Sequence, residues 1–331
     1  MHTSETAPDA PAPQPRRVFL LGATGTIGRA TLAALLERGH QVVCFVRPGA
    51  KGLPDAALLR FGDVTDPGAL ARDGFRGERF DALVSCLASR TGVPRDAWAI
   101  DHQAHVDALA AAQAAGVTQV VLLSAICVQK PLLAFQQAKL AFETALIASG
   151  LTYSIVRPTA FFKSLSGQVA RVQQGKPFLL FGNGALTACK PISDADLGGY
   201  IADCLHDPSR HNRILPIGGP GPAITPRQQG EELFRLLGRA PKFKQVPVAL
   251  MDAAIAVLST LGQLSPKLRD KAELARIGRY YATESMLVLN PASGRYDAEA
   301  TPSTGSDTLF DFYARLLGGT ATVDLGDHAV F

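Results

Sequence analysis

The segment that most constrains this chain is a glycine-rich loop of sequence GATGTIG. It follows a short apolar run and leads into a helical pattern that Gly39 closes. Glycines let the backbone turn tightly, and a helix N-terminus offers free N–H groups and partial positive charge to an anion. The context predicts a dinucleotide phosphate loop, because a plain turn explains one glycine and not three. Its residues are Gly22, Ala23, Thr24, Gly25, Thr26, Ile27 and Gly28.

The first half of the chain alternates apolar runs with helical segments. Strands are predicted at residues 17–21, 41–46, 58–62, 81–87, 119–124 and 152–156, with helices at 28–38, 101–115 and 131–149. Strands separated by single helices imply right-handed crossovers and a parallel sheet. We therefore predict an α/β fold: a doubly wound Rossmann sheet with a smaller C-terminal substrate-binding region.

Composition sets the remaining organisation. Of 331 residues, 47% are hydrophobic, which excludes bulk disorder, and a net charge of +4 is too weak to indicate nucleic acid. We predict a disordered tail over 1–16, an NADP-binding domain over 17–160 and a substrate-binding region over 161–331, with some of its segments returning to the sheet. Five scattered cysteines and no secretory signal favour a cytoplasmic protein.

Basic residues follow the second predicted strand. NAD enzymes usually carry an acidic residue there for the ribose hydroxyls, whereas this chain has Arg47 and then Lys51. A guanidinium binds a 2′-phosphate through two hydrogen bonds, and a carboxylate would repel it. We predict NADPH as the cofactor; a solvated basic turn is the alternative.

Several segments resemble the short-chain dehydrogenase/reductases, especially the NmrA-like and isoflavone-reductase-like branch. They are the glycine loop, the GDVTD segment after strand three, Ser124 after strand five and the Arg157-Pro158 pair after strand six. The resemblance implies that the cofactor also contacts Asp63, Val64, Leu87, Ala88, Ser124, Lys139 and Pro158.

The active site of that superfamily pairs a tyrosine with a lysine four residues later, on one helix face. Here the lysine is Lys139, but Phe135 replaces the tyrosine. A phenyl ring cannot donate a proton, so carbonyl chemistry is disfavoured. Reduction of a conjugated C=C bond is favoured instead, with Lys139 as the candidate catalytic residue.

A second resemblance extends over nearly the whole chain from Arg17 onward. The segments VSCLASR, IDHQA, KPISDADL and the C-terminal GSDTLF and GDHAVF are similar to divinyl (proto)chlorophyllide a 8-vinyl reductases of phototrophs. One departure is His102, where that family is expected to have tyrosine. The resemblance implies an NADPH-dependent enzyme that reduces the C8 vinyl group of a tetrapyrrole, either divinyl chlorophyllide a or divinyl protochlorophyllide a.

Residues beyond strands five and six are the substrate candidates, because ligands bind past the carboxyl ends of parallel strands. Ile126, Phe161 and Phe162 are predicted to face the tetrapyrrole, with core packing as the alternative for both phenylalanines. Lys163 is a candidate for the substrate propionate. His102 and His105 lie one helical turn apart, but without a third ligand they are interpreted as helix-surface residues and no metal is predicted.

Two rival functions remain open from the sequence alone. One is a reductase of the isoflavone-reductase type acting on another conjugated substrate. The other is an NmrA-like NADP sensor or assembly factor without turnover. The apolar stretch over 246–264 is interpreted as a buried helix, with a helix that lies on a membrane or covers an apolar ligand as the alternative. Transient contact with a photosynthetic membrane therefore also stays open.

Overall fold

The computed structural model describes residues 14–66 and 68–323. Most of the predicted N-terminal tail and the C-terminal GDHAVF segment lie outside the described residues. The strands, in chain order, are β1 (Arg17–Leu21), β2 (Gln41–Val46), β3 (Leu58–Phe61), β4 (Ala82–Ser85), β5 (Gln119–Leu123), β6 (Thr152–Pro158), β7 (Phe178–Phe181), β8 (Arg213–Ile217), β9 (Phe243–Val246), β10 (Val288–Asn290) and β11 (Arg295–Asp297).

The helices are similarly distributed along the chain. They are α1 (Thr26–Glu37), α2 (Pro94–Ala97), α3 (His105–Ala114), α4 (Ala134–Ala148), α5 (Phe162–Leu165), α6 (Val169–Gln173), α7 (Asp194–Asp203), α8 (Pro226–Leu236), α9 (Val248–Leu261), α10 (Pro266–Thr283) and α11 (Leu309–Leu317). Leu70–Phe75 and Trp98–Ala104 are π-helical, and Ile126–Gln129 and Pro208–Arg210 are 3₁₀ turns.

Seven parallel strands form the main sheet in the order β3-β2-β1-β4-β5-β6-β8. The predicted Rossmann sheet and all six predicted strands are confirmed. The seventh strand, β8, comes from the second half of the chain and pairs with β6. Two small sheets, β7-β9 and β10-β11, belong to the C-terminal part.

The core consists of layers on both faces of the main sheet. Along β1, Val18 and Leu20 join the cluster under α1 and α7, whereas Phe19 and Leu21 join the cluster under α3 and α4. This alternation is what a strand covered on both faces requires. A third apolar cluster fills the space between the carboxyl ends of the strands and the C-terminal helices.

One predicted helix needs correction, and one helix was not predicted. The helix predicted over 101–115 is π-helical through Ala104 and becomes α-helical at His105. The helix α10 was not predicted, although Pro266 follows a serine and helix-favouring residues continue from it.

The packing of α1 on α7 generates a stability prediction. A Cβ on Gly198 would lie 2.6 Å from the Ala30 carbonyl carbon, whereas one on Gly199 would meet only the Arg38 guanidinium at 3.7 Å. We expect Gly198→Ala to lower the free energy of unfolding by about 1–3 kcal/mol, since helix backbones must separate. Gly199→Ala is the matched control and should be neutral or stabilising by up to about 1 kcal/mol. Denaturant unfolding measures both, and equal effects would contradict the close-packing argument.

Candidate active site

The phosphate loop is held in a conformation that only glycine permits at two positions. Gly22 has a φ of +78°, and a Cβ there would lie 2.5 Å from the backbone of Cys86 at the end of β4. A Cβ on Gly28 would lie 2.0 Å from the Gly22 carbonyl oxygen. The loop therefore packs tightly between β4 and the start of α1.

The residues of the loop divide into two groups by burial. Ala23 and Ile27 are core residues, while Thr24 and Gly25 are exposed and Thr26 is half-buried. Helix α1 has neither a side-chain cap nor an acidic residue in its first turn. Its N-terminal N–H groups and partial positive charge are thus directed at the accessible loop surface, which fits the pyrophosphate of a dinucleotide.

Cationic side chains line the edge of the sheet beside this loop. Arg47 and Lys51 are exposed after β2, as the sequence predicts. Arg29, which sequence reasoning missed, donates from α1 to the carbonyl oxygens of Thr24 (3.2 Å), Lys51 (3.0 Å) and Gly52. These hydrogen bonds connect the turn after β2, which carries Arg47 and Lys51, to the phosphate loop. The only sequence signal for Arg29 is its place directly after the last glycine of the motif.

Asp63 and Val64 follow β3 at the same edge. The Asp63 carboxylate accepts from the Thr65 N–H at 2.9 Å and hydroxyl at 2.8 Å. These bonds, with a smaller effect from the Arg47 charge, lower the pKa of Asp63. Its carboxylate is therefore ionised at neutral pH and held in a fixed turn.

Lys163 belongs to the phosphate side of the site. Its ammonium donates to the Thr26 hydroxyl oxygen at 3.4 Å. Lys163 is a candidate for a substrate carboxylate from the sequence, but the structure places it against the phosphate loop. The sequence holds no signal for this contact between Lys163 and Thr26, because 137 residues separate the two.

Ser124 lies at the end of β5, where the resemblance places a cofactor residue. Its buried hydroxyl donates to Glu143 of α4 at 2.5 Å, and Glu143 also pairs with Arg157 of β6. This network joins β5, β6 and α4. The Ser124 hydroxyl donates its hydrogen within this network. A cofactor contact by Ser124 remains a prediction.

A buried ion pair fixes Lys139. Its ammonium lies 3.0 Å from Oδ1 of Asp101, whose side chain is completely buried while Lys139 is 11% exposed. The Ser89 N–H also donates to Oδ1 at 3.2 Å. Among the described residues, Oδ2 of Asp101 has no hydrogen-bond partner. The partly exposed Lys139 ammonium is thus held by a buried carboxylate whose charge it compensates.

The local conformation of the chain explains how Asp101 reaches Lys139. Asp101 lies within the π-helical Trp98–Ala104 segment, which packs against α4. An inserted residue in a helix changes the direction of the following side chains, and such insertions are frequent at functional sites. Sequence periodicity treated this stretch as regular α-helix and therefore missed Asp101.

His105 follows the same segment and corrects the sequence interpretation. It is 2% exposed rather than on the helix surface. Burial, with the nearby Lys139 charge, lowers the pKa of His105 to about 4, so the ring is neutral at pH 7. Its two ring nitrogens lie 2.8 Å from the Ile100 carbonyl oxygen and 2.8 Å from the Ser85 hydroxyl. In the neutral ring one nitrogen donates to Ile100 and the other accepts from Ser85.

Phe135 occupies the place of the missing tyrosine, one helical turn before Lys139. It is 9% exposed and packs beside Gly92 and Ile277 of α10. Tyr280 of α10 donates to the carbonyl oxygens of Cys127 (2.9 Å) and Lys130 (3.2 Å). Helix α10 therefore covers the side of the site on which the superfamily keeps its proton donor, and an apolar ring faces it.

Comparison with known proteins decides the family. A divinyl chlorophyllide a 8-vinyl-reductase of Oryza sativa subsp. indica is 52% identical over 97% of this chain and 83% of its own length. This chain belongs to the divinyl chlorophyllide a 8-vinyl-reductase family. The family model described as NAD(P)H-binding matches residues 22–208, which confirms the predicted cofactor class.

Two other similarities are more distant. The photosystem II assembly factor Ycf39 of a Synechocystis strain is 28% identical over 71% of this chain and 72% of its own length. The structure of an NADPH-dependent quinone oxidoreductase from Escherichia coli, in complex with NADPH, is similar with a TM-score of 0.61. It is 20% identical and is matched over 91% of this chain and 99% of its own, which supports the fold alone.

The substrate residues predicted for this 8-vinyl-reductase family member differ in accessibility. Phe161 is half-buried, and Phe162 packs on Phe312 of α11 with 2% exposure. Ile126 is also 2% exposed within the third apolar cluster. Phe161 is thus the best placed of the three, and all three assignments remain predictions.

The remaining cofactor candidates follow strands β4 and β6. Ala88 is exposed and Leu87 is half-buried after β4. Pro158 is buried as the last residue of β6. All three lie at the carboxyl edge of the sheet, with β4 next to β1 and β6 two strands further along. Their contacts with a cofactor remain predictions.

The Asp101–Lys139 pair generates a prediction for this site. Asp101→Asn keeps the shape of the side chain but removes the charge that holds Lys139. We expect kcat to fall roughly tenfold to hundredfold, because a misplaced group loses that much. The free energy of unfolding should fall by about 1–3 kcal/mol.

The matched control is Glu284→Gln. Glu284 pairs with Lys130 near the site, and its Oε1 lies 2.7 Å from the Lys130 ammonium. The kcat of this variant should stay within about twofold of the parent protein's, since a partly exposed pair contributes little. Steady-state kinetics and denaturant unfolding separate the two variants. A folded Asp101→Asn protein with unchanged kcat would make the pair purely structural.

Proposed function

We propose that this protein reduces the C8 vinyl group of divinyl chlorophyllide a or divinyl protochlorophyllide a to ethyl, with NADPH as the reductant. The observation that carries the proposal is 52% identity to a divinyl chlorophyllide a 8-vinyl-reductase over 97% of the chain. The pairing of Lys139 with Phe135 agrees with it, because the site has a fixed cation but no phenol at the expected place.

Converting a vinyl group to ethyl adds one hydride and one proton. Bound NADPH supplies the hydride, and Gly22, Gly25, Thr26, Gly28 and Lys163 are the residues that would hold its pyrophosphate. Negative charge that develops next to the terminal vinyl carbon spreads into the conjugated macrocycle. Such a substrate needs no strong local acid, whereas a carbonyl would.

The residues of the chain then have two tasks. Lys139 places a positive charge beside the region where negative charge develops, and its orientation does not change during reaction because Asp101 holds it. Phe135 and Ile277 exclude water from that side of the site. The proton comes from water or a nearby hydroxyl.

A non-catalytic role as an assembly factor is the rival from another class of protein. Its support is the 28% identity to Ycf39 over 71% of the chain. No contact in the described residues favours this role over catalysis, and turnover decides between them.

Turnover is tested with purified protein, NADPH and divinyl chlorophyllide a, by following the absorbance of the macrocycle. We expect the absorbance shift of vinyl reduction, and a loss of about tenfold to a thousandfold in kcat for Lys139→Ala, since its field acts on the transition state. Lys176→Ala, which removes an exposed lysine between α6 and β7, is the control. Tight NADPH binding without any shift would contradict the proposal and favour a sensor.

Preference for NADPH has its own test. The basic edge formed by Arg29, Arg47 and Lys51 suits a 2′-phosphate. We expect Arg47→Ala to weaken NADPH binding roughly tenfold to hundredfold, since a charged hydrogen bond contributes about 1.5–3 kcal/mol, and to leave NADH binding unchanged. Calorimetry with both cofactors measures this, and equal affinity of the parent protein for NADH and NADPH would refute the preference.

We further propose that the protein meets its pigment at a membrane surface. Within residues 14–66 and 68–323, no helix combines the length and apolar character needed to cross a bilayer. A helix that lies in the interface, without a spanning segment, would bring the protein to an apolar macrocycle held in lipid.

A further inference from the structure

Helices α9 and α10 form a two-helix arm whose outer surface is apolar. Helix α9 has no buried residue, and its only charged residue, Asp252, pairs with Arg279 of α10. Leu250 is 63% exposed, Val257 58% and Leu261 43%. With the exposed Ala253 and Ala254 they follow helical spacing along one face, which we call the outer face of α9.

The opposite face of α9 accounts for its attachment to the protein. Met251 lies against Gly278, and the Arg276 guanidinium donates to the Ser259 hydroxyl at 2.7 Å. Helix α9 therefore packs on α10, which leaves its outer face without a partner among the described residues. The sequence interpretation of 246–264 as a buried helix is wrong, because this helix is the outermost layer of the arm.

The charged residues that flank the outer face of α9 indicate which kind of partner it suits. Between Lys242 and Arg279 the chain has seven basic and three acidic residues. Exposed lysines precede α9 at positions 242 and 244, and the exposed Lys267, Arg269 and Lys271 follow it on α10. Basic residues at both ends of an apolar stripe match a bilayer with anionic headgroups. A second copy of the chain would bring the same positive charges together, so self-association is disfavoured.

The joint between the two helices has the same mixed character. Leu264, at 86% exposure, extends the outer face beyond α9. A cavity of about 430 Å³ opens beside it and is lined by Leu264, Arg269 and Arg276 among others. An exposed arginine next to an apolar side chain, here Arg269, suits an anionic headgroup whose acyl chain lies on the outer face.

Length determines how the arm meets the bilayer. Helix α9 has 14 residues and is therefore about 21 Å long, short of the ~30 Å hydrocarbon core. It is long enough to lie in the plane of the interface with Leu250, Val257 and Leu261 inserted.

The other side of the arm connects this surface to the candidate active site. Ile277 of α10 is near Gly92, which also adjoins Phe135, and Glu273 accepts from the Ala134 N–H at 3.4 Å. The arm thus spans from the start of α4, which carries Lys139, to the exposed apolar face.

We propose that the outer face of α9 and its flanking lysines dock this protein on an anionic lipid surface, next to the site that receives the pigment. The use of this surface for pigment collection rests on the proposed function. Lipid binding itself does not, and the two are tested separately.

Vesicle flotation of the full chain tests the docking surface. The probes are phosphatidylcholine vesicles with and without phosphatidylglycerol. We expect binding to the anionic vesicles that weakens at high salt. Leu250→Gln with Val257→Gln should reduce it at least tenfold, and Lys267→Glu with Lys271→Glu by more than about fivefold per residue.

The control is Ile147→Gln with Ile214→Gln, which changes two exposed apolar residues, at 43% and 40%, on the Rossmann side. It should bind vesicles like the parent protein. Binding that survives the Leu250/Val257 change, or no binding to either vesicle, would overturn the proposal. So would a dimer in sedimentation that the Leu250/Val257 variant loses, since a second copy would then cover the face.

Activity separates the docking surface from the proposed function. With pigment in detergent micelles the Leu250/Val257 variant should turn over like the parent protein. With pigment supplied in anionic vesicles it should be at least tenfold slower. If the parent protein binds vesicles but shows no turnover in either medium, the proposed function is refuted and the docking surface is not. If the parent protein and the variant turn over vesicle-borne pigment at equal rates, the role of this surface in pigment collection is refuted.

Discussion

The architecture depends on the close approach of the glycine loop to the end of β4. A side chain on Gly22 or Gly28 would occupy the space of a neighbouring backbone atom. Without that approach α1 could not begin beside the sheet, and its N-terminus would not face the anion that the fold is built to bind. The same packing brings α1 against α7, where Gly198 lets the two helices touch. Glycine thus fixes both the phosphate loop and the layer behind it.

Charge is distributed unequally over the candidate site. The cofactor side carries exposed cations on several elements, so a phosphate can be bound without burying an uncompensated charge. On the reaction side, Asp101 compensates the charge of the partly buried Lys139. Phe135 and helix α10 keep this side apolar. The arrangement suits a substrate that disperses negative charge by itself, and it agrees with the chain's membership of the 8-vinyl-reductase family.

The C-terminal half supplies what the Rossmann sheet lacks. Strand β8 completes the sheet, α11 packs on Phe162, and α10 covers Phe135. These contacts turn an open dinucleotide-binding sheet into a site with an apolar wall. The wall continues outward into α9, so one pair of helices contributes both to the enclosure of the site and to an apolar external surface.

The sequence by itself determined the features whose signals are local. The glycine loop, six strands, Arg47 and the Phe135–Lys139 spacing were all predictable because each depends on residues within one turn or one strand. Only the tertiary structure decided which distant residues meet. It joined Asp101 to Lys139 through a π-helical segment, buried His105 and placed Lys163 at the phosphate loop. It also exposed α9, whose apolar sequence predicts burial, because burial depends on what packs against a helix rather than on its own composition.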